Sequence, residues 1–166
     1  MSDRYDITPD GDIAVSTRVR LARNLEGIPF PSKMSAAERR ELNGRVKAAL
    51  LESNTPFAKS LKYIDMKSVP ENEIAAMVER HTISPEFAAD SSERAVILSA
   101  DESISIMVGE EDHIRIQVIL GGLQLEKAYD TAETLDRLLY DSLHFAFDKD
   151  LGFLTECPTN LGTGMR

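Results

Sequence analysis

Three short stretches carry the residues best suited to chemistry. In Ser16-Thr17-Arg18-Val19-Arg20 the two arginines stand at i and i+2 of an alternating segment, so they point to one side. Like charges so placed repel, and an oxyanion between them relieves the repulsion; guanidinium forks match phosphate oxygens. The same pattern also fits a solvated edge strand whose arginines pair with carboxylates. In Gly109-Glu110-Glu111-Asp112-His113-Ile114-Arg115, three acids precede a histidine and an arginine at a tight turn. That cluster suits a cationic substrate or Mg²⁺, or equally an acidic turn that ends an edge strand in solvent. In Cys157-Pro-Thr-Asn-Leu-Gly-Thr-Gly-Met-Arg166 a cysteine opens a loop dense in Gly, Thr and Asn. It reads either as a low-pKa thiol beside a ligand, with loop N–H groups and hydroxyls for phosphate, or as an inert buried cysteine before a turn.

The elements that must position these stretches follow from hydrophobic period. Ile13 to Leu21 alternates, with Val15, Thr17, Val19 and Leu21 opposite Ser16, Arg18 and Arg20. Leu61–Met66, Ala95–Ser99, Ile104–Val108 and His113–Leu120 also read as strands, and a short link between the last two predicts a hairpin. Ser35-Ala-Ala-Glu38 and Ser68-Val-Pro-Glu71 read as capping boxes that open helices. The first helix is expected to bury Leu42, Val46, Ala49 and Leu50, the second Ile74, Met77 and Val78. A long amphipathic helix is expected from Leu125 through Ala146. Helices without a regular βαβ rhythm predict an α+β domain, helices on one face of a mostly antiparallel sheet. No G-x-G-x-x-G or G-x-x-x-x-G-K-[ST] loop points to the two common nucleotide folds.

Composition narrows the function classes. The 166 residues hold 28 acids against 19 Lys and Arg, a formal net charge of -9, with 6% aromatics and no Trp. Sequence-independent nucleic-acid binding needs a basic field and base-stacking rings, so it is excluded; a phosphate pocket needs only a few local cations. The N-terminal Met1-Ser-Asp-Arg-Tyr-Asp6 shows no secretory signal, and no apolar run approaches the ~20 residues that span a bilayer. A single cysteine suits a reducing, cytoplasmic setting. The length fits one domain, residues 1–166.

The three stretches, in this order and spacing, resemble the catalytic domain of the phosphagen (guanidino) kinases. Within that family Arg80-His81-Thr-Ile-Ser-Pro85 is similar to the protein-arginine kinase branch. Gly109 departs from the asparagine usual before the two glutamates, and the chain stops at Arg166 inside a motif that the family continues. The resemblance implies transfer of the γ-phosphoryl of Mg²⁺-ATP to arginine side chains of a protein substrate. Its alternatives are a non-catalytic fragment or pseudoenzyme with a partial nucleotide site, and a small-metabolite guanidino kinase, against which the absence of a preceding helical domain argues.

By resemblance, Ser16, Thr17, Arg18, Val19 and Arg20 line the nucleotide phosphates, joined by Arg115 and Arg166, with His81 beside the nucleotide. Glu111 holds the substrate guanidinium, and Cys157 is the thiol next to it. No protein metal site is implied, because Mg²⁺ travels with ATP. An activator protein and protease or stress-response machinery are the partners the family implies. A frayed Arg166 beside an open sheet edge leads to the expectation that this chain alone is very weak or inactive, binds ATP weakly and self-associates.

Overall fold

Period-two segments pair here into one antiparallel sheet of five strands. The computed structural model describes residues 13–53, 55 and 57–166, so the N-terminal hexapeptide lies outside it. The strands are β1 (Ser16–Arg23), β2 (Leu61–Asp65), β3 (Ala95–Ser99), β4 (Ile104–Val108) and β5 (Ile114–Gly121). Their order across the sheet is β1-β5-β4-β3-β2, and β4 and β5 form the expected hairpin. The helices are α1 (Ala36–Leu51), α2 (Glu71–Glu79), α3 (Pro85–Ala88) and α4 (Leu125–Tyr140). A two-stranded ribbon, β6 (Phe147–Asp148) with β7 (Gly152–Phe153), follows α4.

Each face of the sheet has its own apolar cluster. Val19, Leu21, Ile106, Ile114, Ile116 and Val118 meet Leu42, Val46 and Leu50 of α1 and Ala128, Ala132, Leu135 and Leu139 of α4. Fully burying such a side chain contributes about 1.5–3 kcal/mol. On the opposite face Val96, Leu98 and Met107 pack with Met77 and Phe87 of the α2–α3 segment. The expected packing on one face therefore holds for the two long helices, while the short pair covers the β3–β4 part of the other face. What remains of that face, along β1 and β5, carries Arg18, Arg20, Arg115 and Gln117.

Ser35 closes the expected capping box: its hydroxyl accepts from Glu38 N–H and the Glu38 carboxylate accepts from Ser35 N–H at 2.7 Å. Ser68 does not. Asp65 captures the Lys67 N–H at 3.0 Å and Ser68 Oγ donates to the Asp65 carbonyl, forming a 3-10 turn, so Pro70 occupies the N-cap of α2. The long helix ends at Tyr140 rather than Ala146. Leu143 and Phe145 are buried all the same, because the chain turns under the sheet end, where Ala146 N–H donates to the Asn24 carbonyl. The first strand starts at Ser16; Ile13 and Val15 are exposed.

The tail corrects the expectation of an open edge beside a frayed Arg166. Arg20 and Arg166 exchange both backbone bonds, at 2.8 and 2.9 Å, and Ala22 N–H donates to the Gly164 carbonyl at 2.7 Å. Gly164 has φ +63°, and a Cβ there would lie 2.6 Å from the Ala22 carbonyl oxygen, so only glycine lets the tail approach β1 this closely. Among the described residues no helix is long and apolar enough to cross a membrane.

Candidate active site

Antiparallel register brings the arginines together. Arg20 stands opposite Gln117, and Ala22 opposite Arg115, so Arg20 and Arg115 are diagonal neighbours on one face. The tail adds Arg166 beside Arg20. Two adjoining hollows result. One, of about 300 Å³, is lined by Arg20, Glu110, Glu111, Arg115, Asn160 and Arg166. The other, of about 320 Å³, is lined by Arg18, Arg20, His81, Ser84, Arg115 and Gln117, and the two share Arg20, Glu86 and Arg115. Partial burial, then the neighbouring Arg18, Arg115 and Arg166, push the Arg20 guanidinium below its ordinary pKa; Glu110 opposes them more weakly. The arginines' share of that shift is mutual repulsion, which a bound anion would relieve.

The acidic turn is not a solvated one. Glu110 is buried, accepts a hydrogen bond from the Ser84 hydroxyl, and lies 2.5 Å from Arg115 Nη1. Glu111 is exposed and accepts from Arg115 Nη2 at 2.8 Å. Asp112 is fully buried and gathers three chain segments. Its Oδ1 accepts from Asn24 Nδ2 at 2.7 Å and from Glu156 N–H at 2.8 Å, and its Oδ2 from Asn160 Nδ2 at 3.3 Å. His113, also buried, accepts from Leu25 N–H at Nδ1 (2.9 Å), so its Nε2 proton goes to the Pro29 carbonyl (2.7 Å). This polar knot fixes the glutamate turn and the Cys157 loop relative to β1. It was missed in the sequence because a run of acids defaults to solvent; Asp-His followed by strand alternation was the available signal.

Arg23 is a second arginine with a buried role. Its guanidinium forms a bidentate pair with Asp136 of α4, at 2.9 and 2.8 Å, and lies 3.7 Å over the Phe153 ring. His81 adopts φ +58°, a conformation unusual for a residue with a side chain, and Gln117 Nε2 donates to its carbonyl at 2.9 Å. Gln117 thus holds the backbone that aims His81 at the cleft.

Not every expected site residue lines the cleft. Val19 is in the core, and Thr17 is buried with its hydroxyl donating to the Gly122 carbonyl (2.6 Å) and accepting from Gln124 N–H (2.8 Å). Arg20 and Ala22 use the outer edge of β1, so alternation turns the backbones of Thr17 and Val19 toward β5. Neither side chain faces the two hollows described above. Ser16 is exposed at the start of β1. Cys157 is half-buried, with Sγ 3.1 Å from Thr159 Oγ1, in the loop that supplies Asn160 to the cleft.

The sequence profile of the ATP:guanido phosphotransferase C-terminal catalytic domain matches residues 41–166. The chain belongs to this family. It is 46% identical over 159 residues to a protein-arginine kinase of Halothermothrix orenii, covering 95% of this chain and 44% of that protein. Against a protein-arginine kinase of Clostridium acetobutylicum it is 45% identical over 157 residues, covering 95% and 46%. The chain therefore spans less than half the length of these guanidino-kinase relatives. Its fold superposes on the duplicated taurocyamine kinase of Schistosoma mansoni with bound transition-state analogue components. That match has a TM-score of 0.84 and 29% identity, over 96% of this chain and 23% of that one. Guanidino-kinase membership fits a cleft in which arginines and carboxylates stand side by side.

Proposed function

We propose that this chain forms the phosphate- and guanidinium-binding part of a kinase that transfers the γ-phosphoryl of Mg²⁺-ATP to arginine side chains of proteins. The observation that carries the reading is the meeting of Arg18, Arg20, Arg115 and Arg166 along one cleft that also holds Glu111. Phosphoryl transfer asks little covalent help from a protein. It needs the phosphates neutralised and the nucleophile aligned. The arginines supply the first, with Mg²⁺ arriving on the nucleotide, and His81 borders the same cleft for the rest of the nucleotide.

A guanidinium is a poor nucleophile, since it stays protonated throughout the physiological pH range. Glu111, exposed and among the described residues paired with Arg115 alone, can exchange that partner for an incoming guanidinium and orient one of its nitrogens. It can then take up the proton released as the N–P bond forms and the bond from the γ-phosphorus to the β-phosphate oxygen breaks, with ADP leaving. The choice of protein arginine over a small guanidino metabolite rests on the names of the relatives at 45–46% identity. The lone Cys157, with no disulfide partner, suits the reducing cytoplasm.

The test is incubation with γ-labelled Mg²⁺-ATP and an arginine-rich protein. Acid-labile, alkali-stable label on the protein, lost in Glu111→Gln, is expected, however slowly it accumulates. Preferential labelling of free arginine, or equal labelling by Glu111→Gln, would overturn the proposal.

A further inference from the structure

A second hollow, of about 610 Å³, lies where β1, the end of α4 and the β6–β7 ribbon meet. Its walls are the rings of Tyr140, Phe145, Phe147 and Phe153, linked edge to face with centroid separations of 5.3–6.1 Å. Tyr140 and Phe147 are 64% and 60% exposed, although rings of this size normally go to a core. Two carboxylates, Glu26 and Asp141, stand at the rim, and among the described residues neither has an ion pair.

The chain already shows what this ring cluster binds. On its buried side the Arg23 guanidinium lies 3.7 Å over Phe153 and 5.9 Å from the centre of Phe145, with the Asp136 carboxylate closing the pair in bidentate fashion. The open side repeats the elements, aromatic faces next to carboxylates, and has no arginine or lysine in its lining, where His144 is the remaining residue. A planar guanidinium stacks on a ring and offers its edge to carboxylates, whereas an ammonium does so less well and a phosphate has the wrong sign.

We propose that this pocket is a second guanidinium site, which holds an arginine of the protein substrate other than the one presented to the phosphate cleft. The inference rests on the reading above that the substrate is an arginine-containing protein. Arg23 is the shared wall: its Nη1 donates to the carbonyls of Ala22 and Thr163 beside the cleft, while its guanidinium backs the aromatic pocket. A substrate with a second arginine in reach of the pocket engages both places, and the pocket acts on substrate choice and not on the transferred group.

Blocked Gly-Arg-Gly and Gly-Lys-Gly peptides, titrated into the nucleotide-free chain while the aromatic NMR signals of Tyr140 and Phe147 are followed, give the direct test. Saturable shifts with arginine, at least fivefold tighter than with lysine, are expected. Both Tyr140→Ala/Phe147→Ala and Glu26→Gln/Asp141→Asn should weaken arginine binding at least fivefold; all four are exposed, so the fold should persist. Glu71→Gln/Glu79→Gln on α2 removes the same charge elsewhere and should leave binding unchanged. Equal binding of lysine, an equal loss in the α2 variant, or concentration-dependent self-association that vanishes in Phe147→Ala would overturn the proposal. Because no ATP is present, absence of phosphoryl transfer would count against the kinase reading and not against this pocket.

Discussion

Of the two adjacent glutamates at the β4–β5 turn, Glu110 is enclosed between Ser84 and Arg115, while the Glu111 side chain is 43% exposed. Removing Glu110 leaves the largely buried Arg115 with only the exposed Glu111 and leaves the Ser84 hydroxyl without its acceptor, so Glu110→Ala should cost about 1–3 kcal/mol of stability. Glu111→Gln gives up a solvent-screened pair and should cost less than about 1 kcal/mol. Denaturant unfolding of the two variants checks this, and comparable losses would mean that Glu111 is structural too. His113 supplies a pH dependence. Burial, with Arg45 as a minor ally, lowers its pKa against the Pro29 carbonyl, Asp112 and Glu156. The unfolded chain then binds the proton more readily. The stabilisation is complete above the ordinary imidazole value of about 6.5 and is lost as pH falls through the lower folded value. The stability gap between the native chain and His113→Gln should accordingly narrow from pH 7.5 to pH 5.5; a gap that widens would contradict the neutral Nε2–H form. These burials were not legible in the sequence, because side-chain type alone sends Glu, Asp and His toward solvent, and only the crossing of three segments at Asp112 reverses that.

At the scale of elements, period-two alternation located β1, β4 and β5, while β3 was legible as a short apolar run because both its faces are buried. The end of α4 was illegible because Leu143 and Phe145 continue the apolar sequence beyond the last helical turn. Ser68 misled because its hydroxyl donates to the Asp65 carbonyl and does not accept from an N–H of the helix start. The pairing of the tail with β1 was also hidden: three residues form it, and its requirement is backbone freedom at Gly164. That pairing makes a prediction. Gly164→Ala would force a side chain into φ +63° and against the Ala22 carbonyl, a conformation that costs about 1–2 kcal/mol before the clash is counted. Arg166 should then leave the cleft, with a lower melting temperature and several-fold weaker Mg²⁺-ATP binding by calorimetry. A variant that melts and binds like the native chain would show that the tail does not place Arg166.

Over the whole molecule, a net charge of -9 opposes any polyanion at long range, so nucleotide affinity must come from the local arginine cluster. The sheet produces that cluster by register: β1 contributes Arg18 and Arg20, β5 Arg115, and the tail Arg166, while α2–α3 leaves this part of the face uncovered. Mutual repulsion is a cost that the empty fold bears. Arg18→Ala/Arg20→Ala should therefore keep or raise the melting temperature while removing two charge-assisted phosphate contacts. Calorimetric titration of Mg²⁺-ATP into the native chain and this double variant is the most direct test of the account. Affinity should fall by about 100-fold or more, with the fold intact; equal affinity in a folded variant would contradict the assignment of the cleft to the nucleotide's phosphates.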